Sequence, residues 1–132
     1  MKALFESRAH AVVAADKLKV YAQPQRLMIL SCLLRGEHTV SEIDAVTGIG
    51  QPALSQQLAE LRRNELVRTR RVSKQIWYDL ADDKVRLCVR SMEVILGDNH
   101  DLEVALGEVI TSPPLKKDIK RPAGAASFVK IL

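Results

Sequence analysis

Apolar residues recur at helical spacing along most of the chain, and at one place the spacing changes. Residues 3–21 carry Leu4, Phe5, Ala9, Val12, Val13 and Leu18, a ragged helical face. Gln23-Pro24 interrupts it, and Pro24 suits the first turn of a new helix, where its missing N–H is not needed. That helix, Gln25 to Leu34, is apolar nearly all round, which predicts burial on several sides. Gly36 ends it as a C-cap. Thr39 and Glu42 stand in the pattern of a capping box and open a short helix that Gly48 stops. Leu54, Leu58 and Leu61 share one face of a further helix, with Gly50 as N-cap and Pro52 in its first turn. After Asn64 the composition turns β-branched and aromatic. Leu66–Arg71 and Gln75–Leu80 predict a β-hairpin around Val72-Ser73-Lys74. From Asp82 a last long helix carries Val85, Cys88, Val89, Met92 and Leu96 in a narrow stripe, up to Gly97-Asp98. A short helix between Leu102 and Ile110 is stopped by Pro113-Pro114, and a basic tail follows.

Two short helices joined by a Gly-containing turn form a helix-turn-helix, whose second helix enters a DNA major groove. Here the second helix presents Gln51, Pro52, Ser55, Gln56, Gln57 and Arg62 away from its leucines. Amides, a hydroxyl and a guanidinium suit base edges and phosphates. Many surface helices look the same, so its neighbours decide the reading. The hairpin beside it carries Arg68, Arg70, Arg71, Ser73, Lys74 and Gln75. Basic residues also protect exposed strand edges, but a basic hairpin directly after a helix-turn-helix is placed as a wing. The predicted fold is mainly α with a small β-hairpin: a winged helix-turn-helix of order α-α-α-α-β-β-α. It occupies residues 1–97, and 98–132 form a C-terminal extension. The stripe Val85, Val89, Met92 and Leu96 is expected to pack on a second copy, because readers of two half-sites are two-fold symmetric. Core packing within one subunit is the other reading of that stripe.

Composition narrows the picture further. The 132 residues suit one domain, and 47% hydrophobic with 4% aromatic fits an aliphatic helical core. The net charge of +4 is uneven: residues 60–77 hold six basic and two acidic side chains, while 79–110 hold three and eight. A local basic patch suits a polyanion. There is no apolar run of about 18 residues and no signal-peptide pattern, so the expectation is a cytoplasmic protein with no membrane contact. Cys32 and Cys88 form no CxxC motif. His10, His38 and His100 are scattered, and no phosphate loop or nucleophile motif is present, which argues against an enzyme and against a cofactor. Asp82-Asp83 read as charges at a helix N-terminus. The alternative to a DNA-binding regulator is a winged-helix protein-interaction or dimerisation module without inducer sensing of its own.

Several stretches in order resemble the ArsR/SmtB winged-helix repressors, within them the BigR-type branch that responds to reactive sulfur. They are Gln25–Leu30, Arg35-Gly36-Glu37, Gly48–Leu58, Leu66–Arg71 and Lys74–Tyr78, so the resemblance covers about residues 10–97. It implies a homodimeric repressor on double-stranded operator DNA that an inducer releases. The family's sensing positions mostly fail here. Where one metal site uses Cys-x-Cys, this chain has Val40-Ser41-Glu42. Where another uses Asp-x-His and His pairs, it has Asp83, Val85, Leu96 and Asn99. One carboxylate cannot close a tetrahedral zinc site, so no metal is expected. Asp98-Asn99-His100 imitates that motif at the wrong end of the helix. The two sulfur-sensing cysteines of the BigR-like branch match Ser31 and Gly97. Cys32 is one residue from the first, about 100° around the helix, and Cys88 lies about 13 Å from the second along the axis. A re-sited Cys32–Cys88 switch requires Cα atoms within about 7 Å. The other reading is two small core residues. The inducer's identity stays open.

Overall fold

The computed structural model describes residues 2–98 together with Glu103, Val104 and Gly107. The imitation motif at Asn99-His100, most of the segment between Leu102 and Ile110, and the basic tail lie outside the described residues. The elements are a 3-10 turn Leu4–Glu6, α1 Arg8–Tyr21, α2 Pro24–Leu34, β1 His38–Thr39, α3 Val40–Thr47, α4 Ala53–Arg63, β2 Val67–Val72, β3 Gln75–Leu80 and α5 Asp83–Leu96. No helix among the described residues is long and apolar enough to cross a membrane.

Capping chemistry explains most boundaries. The helix expected over 3–21 is divided at Ser7, which takes an extended conformation and accepts a bond from the His10 N–H. A serine stabilises a helix start better than a helix interior. Gln23 caps α2 by accepting from the Arg26 N–H at 2.9 Å, with Pro24 in the first turn. The capping box forms as expected: Thr39 Oγ1 accepts from the Glu42 N–H, and Glu42 Oε1 accepts from the Thr39 N–H. Asp82 caps α5 through the Val85 N–H, and Asp83 lies in its first turn.

Two expectations are corrected in the sheet. The hairpin is closed by a two-residue turn, because Val72 pairs with Gln75 and Ser73 takes φ 58°. Such short turns match the twist of antiparallel strands. The sheet also has a third strand: His38 and Thr39 pair with Tyr78 and Trp77, giving the order β1-β3-β2. Two residues are too few to show a period, so only the long-range pairing reveals that strand.

The core lies between α2, α3, α4, α5 and the base of the sheet. Ile29, Leu30, Leu33, Ile43, Leu54, Leu61 and Leu80 are fully buried there. Val85 and Val89 join it, with Cys88 and Met92 packed against it. This corrects the stripe assigned to a partner subunit. Its first half fills this chain's own core, because the helix lies against α2 and β3. Only its end is uncovered, with Ile95 and Leu96 61% and 75% exposed. On α1, Val12, Val13 and Leu18 are exposed, as are Leu4 and Phe5 before it.

A polar link fastens α2 to α5. Ser31 Oγ donates to Glu93, and the Arg35 guanidinium pairs with the same carboxylate. Partial burial pushes the Glu93 carboxyl up, but the hydrogen bonds from Arg35 and Ser31 and the charges of Arg35 and Arg90 outweigh it, and the net position is below the ordinary glutamate value. A carboxyl lowered on folding stabilises the fold above its unfolded pKa and loses that contribution as pH falls through the folded value. Acid titration of the folding free energy is therefore expected to show a loss of stability below the usual glutamate range, and Glu93→Gln to flatten that segment of the curve. Leu58→Ala, at the 2% exposed underside of α4, is expected to destabilise the domain by about 2–5 kcal/mol in urea unfolding.

Candidate nucleic-acid interface

The turn between α3 and α4 is built on two glycines with left-handed backbone. Gly48 has φ 68° and donates to the Asp44 carbonyl at 2.7 Å, ending α3. Gly50 has φ 82° and donates to Asp44 Oδ1 at 2.9 Å. A Cβ at either position would strain the turn. Helix α4 starts later than the sequence implies: Ala53 is its first residue, and Pro52 rather than Gly50 flanks it. Pro52 has no N–H and no capping side chain. Gln51 supplies the cap instead, its Oε1 accepting from the Ser55 N–H at 3.1 Å and from Ser55 Oγ at 2.7 Å.

Burial of Leu54, Leu58 and Leu61 sets the rotation of α4. Ser55, Gln56, Ala59 and Arg62 then face outward, all exposed. Gln57 does not join them. Its Oε1 accepts from Arg26 Nε at 2.8 Å, and its amide donates to Gln25 Oε1 at 3.4 Å. Gln57 therefore ties α4 to α2. The helical wheel carried the signal: Gln57 stands only about 60° from Leu54. Its partner Arg26, 31 residues away, left no trace in local pattern. A groove of about 480 Å³ runs beside the outward face, lined by Val40, Ser55, Leu58, Ala59, Arg62, Arg63 and Tyr78. Tyr78, unassigned by sequence reasoning, lines this groove from β3.

Strand register divides the wing's cations between two faces, since residues directly opposite in an antiparallel pair point to the same side. Val67, Thr69 and Arg71 share a face with Leu80, Tyr78 and Ile76. Tyr78 lines the α4 groove, so this face is turned to α4. Arg68, Arg70 and Val72 share the other face with Asp79, Trp77 and Gln75. There both arginines are engaged. Arg68 reaches Asp79 Oδ2 at 3.4 Å, and the same buried oxygen holds Arg86 of α5 at 3.2 Å. Arg70 grips Glu37 with both arms, Nε to Oε2 at 2.6 Å and a terminal nitrogen to Oε1 at 2.8 Å. Arg71, Ser73, Lys74 and Gln75 are exposed toward the tip. The six wing residues picked from sequence thus separate into a tip that faces solvent and a base tied to the body. Strict alternation along β2 signals this division once the turn length is known.

The two cysteines sit in different surroundings, both as free thiols. Cys32 is 6% exposed. Burial pushes its thiol pKa up and Glu42 adds to this, with Arg35 opposing. Such a thiol is a poor nucleophile. Cys88 is half-buried beside Tyr21, whose phenol is raised by burial first and by Cys88 second. With Tyr21, Cys88 lines a second groove of about 720 Å³ between α1, the α4–β2 connection and the start of α5.

Known proteins share this arrangement. Residues 23–69, which hold α2, the helix-turn-helix and the start of β2, match the model of the bacterial regulatory protein, arsR family. The biofilm growth-associated repressor of Xylella fastidiosa is 44% identical over 90 residues, covering 68% of this chain and 77% of that protein. The crystal structure of the transcriptional repressor BigR from Xylella fastidiosa superposes with a TM-score of 0.67 at 38% identity, over 74% of this chain and 100% of that one. A homodimeric winged helix-turn-helix DNA-binding domain from Mycobacterium bovis superposes with a TM-score of 0.62 at 28% identity, over 73% and 91% of the two chains. The chain belongs to the arsR family of bacterial regulatory proteins and is a DNA-binding transcriptional regulator.

Proposed function

We propose that the protein is a homodimeric, cytoplasmic repressor that reads operator DNA with Ser55, Gln56 and Arg62 of α4 and with Arg71, Ser73 and Lys74 of the wing. One observation carries this reading. The outward face of α4 holds hydroxyl, amide and guanidinium groups, its one carboxylate, Glu60, is paired with Arg63, and the exposed wing cation Arg71 lies on the sheet face turned toward α4, with Lys74 in the turn beyond it. Gln56 can donate and accept at once, as a base edge requires. Gln51 braces Ser55. Arg62, Arg71 and Lys74 neutralise phosphates on either side of the contact. The second copy covers the exposed apolar residues of α1 and the end of α5. The homodimeric state of the Mycobacterium bovis domain supports this, as does the repressor role of the Xylella fastidiosa relative.

A duplex selected by the protein from a random-sequence pool tests the reading by gel shift over a salt series. Gln56→Ala is expected to weaken binding by roughly tenfold or more and to relax sequence preference. Arg71→Ala should lower the slope of log affinity against log salt by about one. Unchanged affinity in the double variant Gln56→Ala/Arg71→Ala would overturn the assignment and favour a protein-interaction module. Sedimentation of Val13→Glu/Leu96→Glu should give a monomer where the unmodified chain gives a dimer; a persistent dimer would refute the assigned interface.

A further inference from the structure

We infer that Glu37 is a positioning residue for DNA recognition, holding the wing in register with the helix-turn-helix through a two-point clamp on Arg70. This rests on the wing reading above and adds a residue to it that touches no DNA.

The clamp joins parts of the fold that the backbone leaves apart. In the sheet, β1 and β2 are the outer strands and β3 lies between them. Arg70 on β2 stands opposite Trp77, and Trp77 stands opposite Thr39 on β1. Glu37 comes two residues before Thr39, and Thr39 is the N-cap of α3. The Arg70 side chain thus spans β3 and fastens the wing to the peptide that enters the helix-turn-helix. A guanidinium gripping a carboxylate with two parallel bonds fixes orientation as well as distance. Glu37 is the anchored partner, its side chain 17% exposed against 57% for Arg70.

The position of the pair argues against a direct phosphate contact by Arg70. It lies on the sheet face turned away from α4, whereas Arg71 lies on the face turned toward it. A carboxylate near a DNA-binding wing repels phosphates, so on charge alone its removal strengthens binding. The clamp predicts the opposite sign, because a wing released from α3 no longer presents Arg71 and Lys74 to the duplex that α4 occupies.

The test measures affinity for the selected duplex by fluorescence anisotropy over a salt series, with thermal melts of every variant. Glu37→Gln and Arg70→Ala, which remove opposite charges, should both weaken binding by about fivefold, with the salt slope unchanged. The exchanged pair Glu37→Arg/Arg70→Glu should bind within about twofold of the unmodified protein. Titrations run below the lowest melting midpoint, so loss of fold does not imitate loss of the clamp. Tighter or unchanged binding by Glu37→Gln would overturn the inference. So would a slope reduced by about one in Arg70→Ala, which would make Arg70 a phosphate ligand, or failure of the exchanged pair to recover. An unaltered slope in Arg71→Ala would instead refute the wing-tip assignment, and the sign of the Glu37→Gln effect would still decide the clamp.

Discussion

Leu54, Leu58 and Leu61 lock the rotation of α4 about its own axis, and the set of side chains on its outward face follows from that. All three are buried to 2% exposure or less. Turning the helix by one residue would swing its side chains by about 100° and expose leucine to water. Burying each leucine is worth about 1.5–3 kcal/mol, which no exposed polar contact on the other side matches. Ser55, Gln56 and Arg62 point outward as a consequence. The same rotation brings Gln57 against Arg26 and Gln25, where its amide ties α4 to α2.

The wing is held by a second kind of constraint, made of charge. Asp79 is 1% exposed, accepts from the Leu80 N–H at 2.8 Å, and faces Arg68 and Arg86. A buried carboxylate persists only when its lone pairs are met. Arg86 is itself nearly buried, so the wing base and α5 stand or fall together at this point. Glu37 with Arg70, and Glu93 with Ser31 and Arg35, are similar fasteners nearer the surface. Through them the cations at the base of the wing serve the fold, and those at its tip, Arg71 and Lys74, stay exposed.

Most of the fold was legible in the chain because its signals are local. A capping box is four residues, a proline at a helix start is one, and a leucine stripe spans two turns. The bend at Ser7, the late start of α4 at Ala53 and the two-residue turn at Ser73-Lys74 differ from expectation by a few residues, where capping and strand twist outweigh apolar spacing. The candidate site was legible as a set of residue types. Its division was not: the twelve side chains chosen for DNA include Gln57, Arg68 and Arg70, whose partners lie 31, 11 and 33 residues away.

Sequence by itself determined the helices and the hairpin of the winged domain, their order, the helix-turn-helix with its glycine turn, and the family. These follow from periods and caps that neighbouring residues impose on one another. Tertiary structure decided which polar groups are at liberty. It added β1 to the sheet, placed Val85 and Val89 in the core, separated Arg71 from Arg68 and Arg70 by strand register, and paired Arg70 with Glu37. The physical reason is that a side chain's availability depends on what the folded chain brings within hydrogen-bonding reach, and those groups come from elements far apart in sequence.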